Sequence, residues 1–226
     1  MTRHFSILLA GAAVVLFAVP SEAVLIQYSS KALFQADTGA TSATGPLPNI
    51  GNAGLTETVG AVSFTSLSST LFFGTLGAGV GAQWSTVLPG NELAISGPES
   101  FRISVPGPIY SLGFDFIEPN VSNVATDGCN APCFDSTFVV TLLSGGVAIP
   151  GASFSFNAPD ATASFVGVWT DFAFDGATIV DFTGTIDNEF WGEFYTGTES
   201  AVPEPGTLLL LGGGLLGLAA RRRRAS

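Results

Sequence analysis

Apolar and polar residues alternate with a period of two through most of this 226-residue chain. Phe101-Arg102-Ile103-Ser104-Val105 alternates, and so does Leu112-Gly113-Phe114-Asp115-Phe116, which puts Leu112, Phe114 and Phe116 on one face. Phe138, Val140 and Leu142 share a face, as do Phe154 and Phe156. Val62–Thr65, Thr70–Phe73, Glu92–Ser96, Ser164–Trp169, Thr178–Phe182 and Phe190–Tyr195 are further candidates between Gly, Pro and Asn punctuation. Roughly ten short strands at such spacing predict an all-β fold, a single antiparallel β-sandwich or jelly-roll-like domain. Helical periodicity is confined to Ser30–Ala36, where Ser29 or Ser30 can cap. The glycine-dense Gly74–Gly81 matches no phosphate-binding spacing and reads as a turn.

The two ends break the pattern. Arg3 precedes an apolar run from Phe5 to Val19, and Pro20 and the small-x-small triplet Ser21-Glu22-Ala23 follow. Residues 1–23 therefore read as a secretory signal helix with the mature chain starting at Val24. At the other end Val202-Pro203-Glu204-Pro205 holds the chain extended. An uncharged stretch follows: Thr207–Ala220 has seven leucines and four glycines in 14 residues. As a helix it spans about 21 Å, short of the roughly 30 Å bilayer core. A transmembrane helix over about 206–220 is thus a marginal anchor, suited to brief residence. Arg221, Arg222, Arg223 and Arg224 mark its far end as cytoplasmic, so the preceding body lies on the opposite side. The expected organisation is signal peptide 1–23, β-sandwich body 24–196, linker 197–201 and sorting segment 202–226.

Val202-Pro203-Glu204-Pro205, the short Leu/Gly helix and the terminal arginines resemble the PEP-CTERM sorting domain of exported bacterial proteins. The resemblance covers the last 25 or so residues and matches each of that domain's three parts. It implies an exosortase and the secretion machinery as partners, and processing near Pro203-Glu204-Pro205. It also implies an inner-membrane intermediate, then the cell surface or extracellular matrix, in a system associated with exopolysaccharide. Gly113-Phe114-Asp115-Phe116, Phe165-Val166-Gly167-Val168 and Ile186-Asp187-Asn188 loosely resemble the jelly-roll-like bodies of other such proteins.

Charge narrows the partners. Of 18 acidic and seven basic residues, the body from Val24 to Ser200 keeps 16 acids but only Lys31 and Arg102, a net charge of about −14. Such a surface repels nucleic acid and anionic lipid. Neutral polysaccharide, cations and basic proteins remain compatible. Cys129 and Cys133, in an exported chain, are expected to close a tight disulfide loop.

Catalytic chemistry is sparse. The sole histidine, His4, leaves with the signal peptide, which removes histidine-dependent triads. A lysine-based site would rest on Lys31 alone. Paired carboxylates could serve a glycosidase, with Asp115, Glu118, Asp187, Glu189 and Glu193 available. No cofactor is expected; calcium is the metal that Asp171 with Asp175, or Asp187 with Glu189, would suit, although no complete calcium loop is present. Trp84, Trp169 and Trp191 are candidates for stacking on sugar rings, against the alternative that they fill the core. These readings favour a non-enzymatic exported surface or matrix protein, with a carbohydrate-binding module as the alternative and a glycosidase behind it.

Overall fold

The computed structural model describes residues 24–74, 88–95, 97–118, 136–183 and 189–200. The signal segment, the Gly74–Gly81 turn beyond Gly74, Trp84, both cysteines, Asp187 and the whole sorting segment lie outside the described residues. In chain order the elements are β1 (Leu25–Tyr28), α1 (Lys31–Thr38), β2 (Thr41–Ser42), β3 (Gly51–Gly54), β4 (Thr56–Val59), β5 (Val62–Ser66) and β6 (Leu71–Gly74). There follow β7 (Glu92–Ile95), β8 (Phe101–Ile117), β9 (Phe138–Ser144), β10 (Val147–Phe156), β11 (Ser164–Asp181) and β12 (Phe190–Gly197). The chain is thus mostly β, as the alternation predicts. Among the described residues no helix is long and apolar enough to cross a membrane.

All the strand pairs are antiparallel and join into one sheet with the path β10-β9-β11-β8-β12-β7-β6-β3. The strands β1, β2 and β5 attach from the side to β11, β12 and β8. Two strands are longer than the sequence pattern suggests: Phe101–Val105 merges with Leu112–Phe116, and Ser164–Trp169 merges with Thr178–Phe182. Each merged strand serves two halves of the sheet. Ser104 of β8 pairs with Gly176 of β11, but Ile109 pairs with Phe174, so four residues of β8 face one of β11. Those four are Val105-Pro106-Gly107-Pro108, and Gly107 sits at φ 92°. Proline removes ladder donors and glycine supplies the positive φ, so the strands bend here.

The bend folds the sheet onto itself in a sandwich-like arrangement. Phe101 and Phe114 are 13 positions apart on β8, about 43 Å if the strand were straight. Yet the ring of Phe194 lies 6.2 Å from Phe101 and 5.3 Å from Phe114. Phe64 adds a contact at 5.0 Å to the same ring. Trp191 is fully buried and meets Phe101 edge-on at 5.0 Å and Phe138 at 5.7 Å. The alternating Leu112, Phe114, Phe116, Phe138, Val140 and Leu142 all enter this core. Each fully buried large side chain contributes about 1.5–3 kcal/mol.

The helix lies where the sequence predicts it, two residues longer at its C-terminal end. Ser30 caps it, its hydroxyl accepting from the Leu33 N–H at 3.4 Å. Gly39, left-handed at φ 64°, stops it and donates its N–H to the Gln35 carbonyl. The fold also extends into the segment the sequence assigns to a linker: β12 runs to Gly197, and the Glu199 carbonyl is hydrogen-bonded to the body.

Candidate functional site

The outer face of the sheet is shaped by missing side chains. Gly113 of β8 and Gly167 of β11 are direct register partners. A Cβ on Gly113 would stand 2.5 Å from the Phe165 ring and 3.0 Å from the Phe34 ring. A Cβ on Gly167 would stand 2.8 Å and 2.9 Å from the same two rings. The glycine pair is therefore a seat for Phe34, a fully buried residue by which α1 docks on the strands. Tyr28 closes on Phe34 edge-on at 5.5 Å, and Phe165 lies 5.2 Å away on the other side.

Docking the helix in this way brings Lys31, its first residue, over the sheet. The Lys31 ammonium donates to Asp115 Oδ2 at 2.7 Å and to the Tyr195 hydroxyl at 3.0 Å, and lies 4.8 Å from the Tyr195 ring centroid. The Tyr195 hydroxyl is in reach of Asp115 Oδ2 at 3.2 Å and Glu193 Oε2 at 3.3 Å. Glu193 Oε2 also accepts from the Ser42 hydroxyl at 2.7 Å. Burial pulls the Lys31 pKa down, but the hydrogen bonds to Asp115 and Tyr195 and the Asp115 charge outweigh it and leave the value raised. Burial, with the Asp115 and Glu193 charges, raises the Tyr195 pKa against the opposing effect of Lys31. Burial and the Asp37 carboxylate raise that of Tyr28.

Beside this network opens a cleft of about 680 Å³. It is lined by Gln27, Tyr28, Ser29 and Lys31, by Asp115 and Ala163–Gly167, and by Phe156–Pro159 with Leu88 and Pro89. Asp115 and Lys31 remain partly accessible, at 16% and 38% of their side-chain surface. Glu193 does not line the cleft, so it and Asp115 meet at the Tyr195 hydroxyl instead of facing each other across the opening.

The sequence-derived sites fare differently. Trp169 and Trp191 do not offer ring faces to a glycan: Trp191 has no exposed surface, and Trp169 is 6% exposed with its indole N–H donated to the Glu199 carbonyl. The inner face of β12 and the docking of the C-terminal segment claim them first. Asp171 accepts from the Val24 backbone N–H at 3.0 Å. Both oxygens of Asp175 accept from the Gly145 N–H in the β9–β10 turn, at 3.1 and 2.9 Å. Glu189 is buried, and its backbone N–H donates to Glu99 Oε2 at 2.7 Å. Glu118 is likewise buried, with Oε1 accepting from the Ser136 N–H. Among the described residues no three His, Cys, Asp or Glu side chains are grouped to hold a metal ion. In the sequence Lys31 and Asp115 carry separate signals, and nothing local joins them into a cleft. The two glycines inside the Leu112–Phe116 and Phe165–Val168 strands were the available signal, since a strand-interior glycine marks a close approach.

Solved structures similar to this chain include a mutant of the family 29 carbohydrate-binding module CBM29-2, at 10% identity and TM-score 0.37, covering 70% of this chain and 91% of that one. The solution structure of CtCBM11 matches at 10% identity and TM-score 0.33, covering 71% and 95%. The arabinose-bound α-L-arabinofuranosidase MgGH51 matches at 17% identity and TM-score 0.31, covering 72% and 27%. A search of curated proteins gave no match. At the C-terminus the family model described as the PEP-CTERM protein-sorting motif matches residues 201–224. The C-terminal segment that resembles a sorting domain is therefore a PEP-CTERM protein-sorting motif, carried behind an antiparallel β body.

Proposed function

We propose that this chain is an exported, non-enzymatic surface or matrix protein, sorted and processed by an exosortase through residues 201–224. The observation that carries the proposal is the order within that match: an extended Pro-Glu-Pro strip, an uncharged Leu/Gly stretch and four arginines. The stretch is long enough to enter a bilayer and too short to stay comfortably, and the arginines hold its end in the cytoplasm. On this reading the signal peptide leaves after Ala23, Cys129 and Cys133 close a disulfide outside the cell, and the acidic body reaches the surface. Replacing Pro203, Glu204 and Pro205 with alanine in an exosortase-bearing host tests it. Accumulation of an unprocessed membrane form supports the proposal, and unchanged release refutes it.

A further inference from the structure

The cleft beside α1 has recognition chemistry that the sorting reading leaves unused. We propose that it binds a neutral oligosaccharide through the Lys31–Asp115 pair. Its volume of about 680 Å³ falls in the usual range of ligand sites. The half-buried Tyr28 and Phe156 line it with ring surface, against which the C–H face of a sugar packs. The polar groups are arranged for hydroxyls. Lys31 has three donors and spends two, on Asp115 and Tyr195. Both bonds to Asp115 land on Oδ2, which leaves Oδ1 accepting nothing among the described residues. One spare donor and one spare acceptor thus sit on two groups held 2.7 Å apart. Adjacent hydroxyls of a sugar ring match that pair, one accepting from the ammonium and the other donating to the carboxylate.

Charge selects among ligands. The ammonium and carboxylate cancel, so the cleft is locally neutral on a body of net charge about −14. An anionic chain is repelled by the body and finds Lys31 already paired. A cationic ligand is drawn to the acidic body but meets the ammonium at the point of contact. A neutral polyhydroxylated ligand has neither cost. This inference stands apart from the sorting proposal, and its test does not depend on processing.

The test is calorimetric titration of the full exported chain with neutral hexaoses of glucose, xylose and mannose. Hexagalacturonate and hexaglucosamine serve as charged comparators. We expect at least one neutral hexaose to bind with Kd below about 1 mM and the charged hexamers to bind more weakly. Asp115→Asn and Lys31→Met should each weaken binding by about tenfold or more. Because either change also loosens α1, Ala163→Leu at the exposed rim provides a variant that crowds the cleft and leaves the pair intact. It too should weaken binding. No neutral hexaose bound below 1 mM, a preference for a charged hexamer, or affinity indifferent to Ala163→Leu would overturn the proposal. Localisation of the three variants should match the parent, so failure here is distinguishable from failure of the sorting role.

Discussion

The indole N–H of Trp169 donates to the backbone carbonyl of Glu199 at 3.2 Å. Two residues further along β11, Asp171 accepts from the Val24 N–H at 3.0 Å. The first and last stretches of the described body are therefore fastened to the same short piece of one strand. Ile26 of β1 pairs with Trp169 itself, which reinforces the arrangement. Val24 and Glu199, near the two limits of the described body, therefore lie at one corner of it.

This fastening can be measured. Trp169→Phe keeps a ring in place and removes the donor, and should cost about 1 kcal/mol. The readout is the guanidinium unfolding midpoint at unchanged slope. Spin labels at Val24 and Ser200 should report a separation within about 25 Å, the reach of the few residues that connect them through β11. A separation well beyond that would place the two ends at different corners.

The seat of α1 gives a second prediction. Gly113→Ala and Gly167→Ala should each destabilise the body by about 1–3 kcal/mol, because the added Cβ overpacks against the Phe34 and Phe165 rings. Phe34→Ala should cost about 3–5 kcal/mol through the cavity it leaves. The decisive measurement is the double variant. With Phe34 trimmed, alanine at 113 should cost less than it does alone, the Phe165 ring still opposing it, and the coupling should be about 0.5–3 kcal/mol. Simple additivity would show that the helix does not rest on the glycines.

The third prediction concerns alkaline pH. Tyr28, Lys31 and Tyr195 all hold their protons more tightly in the folded chain, above the ordinary values of 10.0 for tyrosine and 10.5 for lysine. The folded state then binds more protons than the unfolded state through that range, so stability falls as pH rises. Their contribution is fully present below about pH 10 and is lost as pH climbs through the folded values. Unfolding midpoints at pH 9 and pH 11 should differ, and Tyr195→Phe should reduce the difference. An equal fall in the variant would remove Tyr195 from the network's pH response.

Local patterns in the sequence give most of this fold, and long-range geometry gives the rest. The alternation of Leu112, Phe114 and Phe116, or of Phe138, Val140 and Leu142, is a direct record of one buried face. Ser30 and Gly39 bracket the helix by their own chemistry. Gly51–Gly54 and Thr41–Ser42 carry no apolar side chain larger than alanine, so β3 and β2 leave no periodic signal and exist only because β6 and β12 offer partners. The merging of two pairs of predicted strands follows from Val105-Pro106-Gly107-Pro108, which reads as a break in sequence yet bends a continuous ladder. The cleft was illegible for a plainer reason. Lys31 and Asp115 are 84 residues apart, and only the docking of Phe34 onto Gly113 and Gly167 brings them together. Trp169 and Trp191 show the converse, since residue type suggested sugar contact and burial assigned them to packing.

The most direct test of the account is the intact mass of this protein recovered from the surface or medium of an exosortase-bearing host. The account predicts a species that starts at Val24, lacks the arginine end and is shortened at or near Pro203-Glu204-Pro205. A full-length chain in the cytosol, with residues 1–23 and 206–226 still attached, would contradict it.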